Sequence, residues 1–172
     1  MFYTSLERTG AGYFDFYLLH NLGAGRTKYF DDYGMWDFVK ELKEKGLVKH
    51  IGFSMHDTAD ALEEILKAHP EMEFVQLQLN YLDWESEDVQ SRRCYEVARK
   101  HNKPVIVMEP VKGGSLVNLP DEAKAVFDGL GGGSYASYAI RFAASFEGIA
   151  MVLSGMGDMN MMRDNLSYMT DF

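Results

Sequence analysis

The chain has 172 residues, 47% of them apolar and 25% charged, which fits one water-soluble domain with a sizeable core. Its formal net charge of −9 argues against a nucleic-acid or anionic-membrane surface, since both need clustered Lys and Arg. An anionic cofactor stays compatible, because a local patch or a few backbone N–H groups suffice to hold one. Cys94 is the sole cysteine, so no internal disulfide can form and a reducing compartment is expected. The opening MFYTSLERTG lacks a basic region followed by an apolar one, and no apolar run approaches the ~20 residues that span a bilayer. A cytoplasmic protein is expected.

Along the chain, short apolar runs alternate with amphipathic stretches. FDFYLL (14–19), HIGFS (50–54), FVQLQL (74–79), PVIVME (104–109) and GIAMVLS (148–154) are rich in Val, Ile, Phe or Tyr, as strands buried on both faces are. Residues 33–45 place Trp36, Val39 and Leu42 on one helical stripe, with Gly46 just past the end. Asp57 is expected to N-cap a helix holding Ala61, Leu62, Ile65 and Leu66, stopped at His69-Pro70. From Ser86 to His101, Val89, Val97 and Ala98 supply a stripe that ends at Asn102-Lys103-Pro104. Helical patterns over 134–146 and 160–169 complete the set. Strands recurring about every 25 to 45 residues with helices between them predict parallel βα units and an α/β fold. Five units overfill half a flavodoxin-like sheet and fall short of a closed (β/α)₈ barrel. GLGGGS (129–134) lacks the GK[ST] ending of a phosphate loop and does not directly follow a strand, so it reads as a hinge or loop.

In a parallel α/β fold the working groups lie at the carboxyl ends of the strands. Those positions are His20-Asn21, Ser54-Met55-His56, Asn80-Tyr81, Glu109-Pro110 with Val111 to Gly114, and Ser154-Gly155-Met156. Gln76 and Gln78 lie inside the third run, so at least one must turn a polar amide inward, which is costly unless it is bonded. His20 ends the first run, where an imidazole serves either a substrate oxygen or a nearby backbone carbonyl. His50, His56, His69 and His101 form no i, i+4 pair with a third ligand, so no metal site is expected. A GxSxG nucleophile elbow is absent. Glu63-Glu64, Glu85 and Glu87-Asp88 read as solvated or capping charges, and the five methionines between 151 and 162 as adaptable core filling.

Taken in order, DFYLLHN, KEKGLVKHIGFS, VQLQLNY, VMEPVKGGSL, and VLSGM followed by RDNL resemble the aldo-keto reductase family over essentially the whole chain. Within it, they are most similar to bacterial members that carry an added ferredoxin-like tail. The resemblance implies a (β/α)₈ barrel that passes a hydride between a nicotinamide cofactor and a small carbonyl or alcohol, with NADP(H) ahead of NAD(H). By that resemblance, His20 matches the histidine that orients the substrate carbonyl. Ser54 and Gln76 match positions that bond the nicotinamide carboxamide, and Met108 stands where many relatives place an aromatic ring against the nicotinamide. The loop Val111 to Leu116, with Gly113 and Gly114, matches backbone that wraps the pyrophosphate. Ser154, Gly155 and Met156 match the adenosine side, and Asp164 and Asn165 match the pair that contacts adenine.

Several departures qualify the match. Met55 replaces a common asparagine, and Gly155, Met156 and Met161 stand where basic residues commonly grip the 2′-phosphate. The clustered tail cysteines are missing, and Cys94 alone cannot build an iron–sulfur cluster. MFYTSLERTG resembles the end of the family's third helix. Residues 1–172 are therefore expected to form one partial domain, an incomplete (β/α)₈ barrel corresponding to strands four to eight. The Tyr, Lys and Asp acid–base groups of the first three units are then lacking. That removes an acid–base contribution on the order of 10²–10⁴-fold, so turnover by this chain alone is expected to be weak or absent. The alternative is a noncatalytic remnant that becomes a homo-oligomer through its exposed barrel edges.

Overall fold

A computed structural model describes residues 1–169. Its five strands lie in one sheet in chain order: β1 (Phe14–Leu22), β2 (Val48–Met55), β3 (Phe74–Gln78), β4 (Val105–Met108) and β5 (Ile149–Val152). Every neighbouring pair is parallel. When spatial order equals chain order, each right-handed crossover advances the same way and leaves the helices on one face. That is the winding of a (β/α)₈ barrel and not of a doubly wound sheet, whose order reverses.

The helices are α1 (Phe2–Thr9), α2 (Thr27–Asp32), α3 (Met35–Glu44), α4 (Ala59–Ala68), α5 (Ser91–Lys100), α6 (Asp121–Leu130), α7 (Tyr135–Ala144) and α8 (Met159–Ser167). No helix among the described residues is long and apolar enough to cross a membrane. Neither α2 nor α6 was expected, and neither fully buries a residue: α2 is six residues long, and the apolar stripe of α6 (Ala123, Val126, Phe127, Leu130) stays largely exposed, with Phe127 against Tyr81 and Tyr138. α5 begins at Ser91 and not at Ser86: Gln90 just before it takes a left-handed backbone (φ 55), and Val89 falls in the preceding turns. The cap of α4 is also one residue later than expected. The Thr58 hydroxyl accepts from the Ala61 N–H at 3.3 Å, while Asp57 accepts from the backbone N–H groups of Thr58 and Ala24. GLGGGS is a loop, in which Gly131 ends α6 in a left-handed conformation (φ 69) and Ser134 caps α7.

Alternation along the strands sorts side chains between two faces. Ile51, Phe53 and Met55, with Val75, Leu77, Val105 and Val107, pack beneath Val39, Leu42, Leu62, Leu66, Ala98 and Ala143 from the helices. The opposite, concave face carries Gly52 and Ser54 of β2, Phe74, Gln76 and Gln78 of β3, and Ile106 and Met108 of β4. It is partly open, since Phe16, Met151 and Leu153 are exposed there. The outer edges of β1 and β5 have no strand partner among the described residues. Met151, Met156, Met159, Met161 and Met162 are all exposed, so they do not fill the core as expected.

Gly52 lies opposite Phe74 in the β2–β3 register, and a Cβ there would sit 2.7 Å from the Phe74 ring and closer still to the Phe74 carbonyl oxygen. Gly52→Ala is expected to destabilise the fold by about 1–3 kcal/mol in a denaturant melt, because backbone cannot yield as a flexible side chain does. A variant with an unchanged midpoint contradicts that close approach.

Glu63 of α4 gathers Lys100, Lys67 and His101, whose hydrogen bonds bring its carboxyl down to about 2 from the ordinary 4.5. A carboxyl held low in the folded state stabilises it above the ordinary value, and that stabilisation drains away as pH falls towards the lowered one. Thermal melts between pH 4.5 and pH 2 should therefore show a shallower loss of stability for Glu63→Gln than for the parent chain. Equal slopes would remove Glu63 from the account of acid sensitivity.

Candidate active site

The register of β1 against β2 slips between Leu19 and Leu22, and Asn21 takes a left-handed backbone there (φ 64). Asparagine tolerates that region better than most residues. Two contacts fix it: the Asn21 N–H donates to Ser54 Oγ at 2.8 Å, and Arg26 Nε donates to the Asn21 carbonyl at 2.8 Å. His20 is thereby set at the strand end, exposed to solvent. Ser54 is fully buried and pairs in register with Gln76, whose Nε2 donates to Met108 Sδ at 3.4 Å. The sulfur is a weak acceptor, so this amide is held lightly. His20, Ser54, Gln76 and Met108 thus stand in a row on four adjacent strands at the carboxyl rim. Gln76 and Gln78, two apart, share the concave face, and both amides are bonded there.

Past Met108 the row runs into a groove of about 760 Å³, between the loop after β4, the end of β5 and α8. Val111, Gly113, Gly114, Ser154, Gly155, Asp164 and Asn165, all singled out from the sequence, line it. Asn165 Nδ2 donates to Ser154 Oγ at 2.6 Å, and the Tyr168 hydroxyl donates to Asn165 Oδ1 at 2.6 Å. The Ser134 hydroxyl donates to Asp164 Oδ2 at 2.7 Å, joining the entry of α7 to α8. Met156 instead lines an adjoining, more apolar pocket of about 500 Å³ with Met151, Met162 and Leu166, which shares Ser154 and Asn165 with the groove. Gly113 (φ 59) and Gly114 (φ 94) adopt backbone conformations that suit glycine, with open space where a Cβ would be. A groove of this size, lined by apolar side chains such as Val117, Ile140 and Leu153 with glycine backbone and a few polar groups among them, suits an extended ligand, so the residues present fit a dinucleotide.

A buried network that the sequence did not disclose anchors the loop. Asp83, 4% exposed, accepts from Lys112 Nζ at 2.6 and 2.8 Å, from Gln78 Nε2 at 2.8 Å and from Asn80 Nδ2 at 2.8 Å. Asn80, completely buried, also donates to the Glu109 carbonyl at 3.0 Å, and its Oδ1 accepts the Asp83 N–H at 2.9 Å. Burial pushes the Asp83 carboxyl up, but hydrogen bonds from Lys112, Asn80 and Gln78 outweigh it and leave the group below its ordinary range. Glu109 (φ 57) and Lys112 (φ 48) are left-handed non-glycine residues, so the network clamps the loop at two strained points. The one local signal was the N-x-x-D spacing of Asn80 and Asp83, which suits a side-chain-closed turn.

Elsewhere the histidines serve structure. His50 faces Glu73, His101 bonds Glu63 at 2.9 Å, and His69 stacks on Trp36 with ring centres 3.6 Å apart. No group of three or more potential metal ligands occurs among the described residues. Cys94, 4% exposed, donates from Sγ to the Asp57 carbonyl at 3.6 Å, and burial pushes its thiol up to about 11.

Comparison with known proteins gives a consistent picture. A thermostable aldo-keto reductase solved with the inhibitor epalrestat superposes with a TM-score of 0.75 at 18% identity, over 99% of this chain and 60% of that one. An aldo-keto reductase from Bacillus halodurans gives 0.72 at 20% identity, over 96% and 56%. An aldo/keto reductase from Brucella melitensis gives 0.72 at 22% identity, over 99% and 60%. Likeness at these identities establishes the fold, an incomplete (β/α)₈ barrel, and the chain spans no more than 60% of any of the three. No curated protein matches by sequence. The sequence profile of the aldo/keto reductase family, however, matches residues 2–172, and the chain belongs to that family.

Proposed function

We propose that this chain forms the cofactor-holding side of a nicotinamide-dependent oxidoreductase of aldo-keto type, acting on a small carbonyl or alcohol. The observation that carries this reading is the continuity of the His20–Met108 row with the groove between the β4 loop and α8. Bound there, the dinucleotide would supply or take up a hydride. Ser54 and Gln76 would hold its carboxamide, and Gln76 would give up only a weak sulfur acceptor to do so. The Ser54 oxygen already accepts from Asn21, which leaves its O–H free to donate. Met108 offers a polarisable surface to the ring. Val111, Gly113 and Gly114 would meet the pyrophosphate, and Ser154, Gly155, Asp164 and Asn165 the adenosine. Family resemblance puts NADP(H) ahead of NAD(H), and the lone buried thiol suits a cytoplasmic setting.

His20, exposed at the rim, would orient the carbonyl oxygen of the substrate. No other member of the row, Ser54, Gln76 or Met108, is an acid or a base. Turnover by the chain alone should therefore be weak or absent, short by on the order of 10²–10⁴-fold in acid–base assistance. Calorimetric titration with reduced nicotinamide dinucleotide should give saturable binding, weakened about 2- to 10-fold in Gln76→Leu, the value of one ordinary hydrogen bond. An unchanged affinity would remove Gln76 from the site. A steady, carbonyl-dependent loss of reduced cofactor with the unassisted chain would contradict the expected weakness.

The two open sheet edges, together with the exposed Phe16, Met151 and Leu153, favour a second reading in which copies of the chain associate through those edges without catalysis. Sedimentation should then report a species heavier than the 19.6 kDa monomer. A stable monomer that melts cooperatively would exclude this reading.

A further inference from the structure

NADP(H) differs from NAD(H) by one phosphate on the adenosine ribose, a group that needs cations or free N–H donors once it leaves water. The adenosine side of the groove offers no cation among the described residues. Its charged lining residues are Glu109 and Asp164, and no Lys or Arg lines it among the described residues. Lys112, the cation nearest in sequence to the lining glycines, gives its ammonium to Asp83 at 2.6 and 2.8 Å. Arg141 of α7 lies over the Tyr168 ring, Lys124 of α6 pairs with Asp121, and exposed Arg163 does not line the groove. The start of α8 is closed as well. Asn160 and Met161 line the groove, but their N–H groups already donate to Asp158 Oδ1 at 2.7 and 2.9 Å.

We infer that the groove takes NAD(H) in preference to NADP(H), because Asp158 occupies the α8 amides, Asp83 holds Lys112 away, and Asp164 faces the groove uncompensated by a cation. This rests on the dinucleotide reading above and departs from the order that resemblance alone gives. A 2′-phosphate would meet a carboxylate and a capped helix end, whereas free ribose hydroxyls can donate to the same carboxylate.

The test is direct titration of the 172-residue protein with NADH and, separately, NADPH, followed by reduced-nicotinamide fluorescence. NADH should bind at least about tenfold more tightly, a difference of ~1.4 kcal/mol. Met161→Arg, at a half-exposed position lining the groove, should shift the ratio of NADPH to NADH affinity about tenfold towards NADPH. NADPH binding as tight as NADH in the parent protein would overturn the preference and leave the dinucleotide reading standing. Failure of both to bind would overturn both. A folded Met161→Arg protein with no such shift towards NADPH would also count against the inference.

Discussion

Burying the Asp83 carboxylate at the end of β3 carries a desolvation cost, and four hydrogen bonds from Lys112, Gln78 and Asn80 outweigh it. Those donors come from the end of β3, the turn beyond it and the loop after β4. One anionic centre therefore fixes the loop's left-handed residues against the sheet. Asn80 extends the hold to the Glu109 carbonyl, so the loop is gripped at both ends of its first turn. The groove wall formed by Val111, Gly113 and Gly114 is shaped by this anchor together with the positive-φ backbone that its two glycines accept.

The same arrangement explains the charge character of the site. A lysine committed to a buried carboxylate lends rigidity but contributes little field to the groove, because the pair is nearly neutral from outside. What a phosphate would meet is set by backbone and by Asp164, whose own position depends on Ser134 at the entry of α7. Loop structure and groove charge are thus linked through the Asp83–Lys112 pair.

How far the sequence spoke for itself follows from the range of the interactions. The five strands were legible because burial on both faces leaves runs of Val, Ile, Leu and Phe, and strand ends then pointed to His20, Ser54 and the glycine loop. α2 is too short for a period to show, and the stripe of α6 lies outside the strand–helix alternation that the five apolar runs set. Asp83 and Lys112 lie 29 residues apart, and no local pattern records such a pairing. The exchange of roles between Asp57 and Thr58 turns on one residue of geometry, since either side chain can cap a helix. The methionines of 151–162 were misjudged for another reason: residue type signals packing ability, whereas exposure depends on what stands opposite.

Cys94 has a practical corollary. A thiol shielded by α5 and pushed up to about 11 holds almost no thiolate at neutral pH, and thiolate is the form that reacts with oxidants and alkylating reagents. The native chain is in effect silent towards sulfur chemistry. A single cysteine introduced on its surface would carry a spectroscopic label at one defined place, without first removing the natural one.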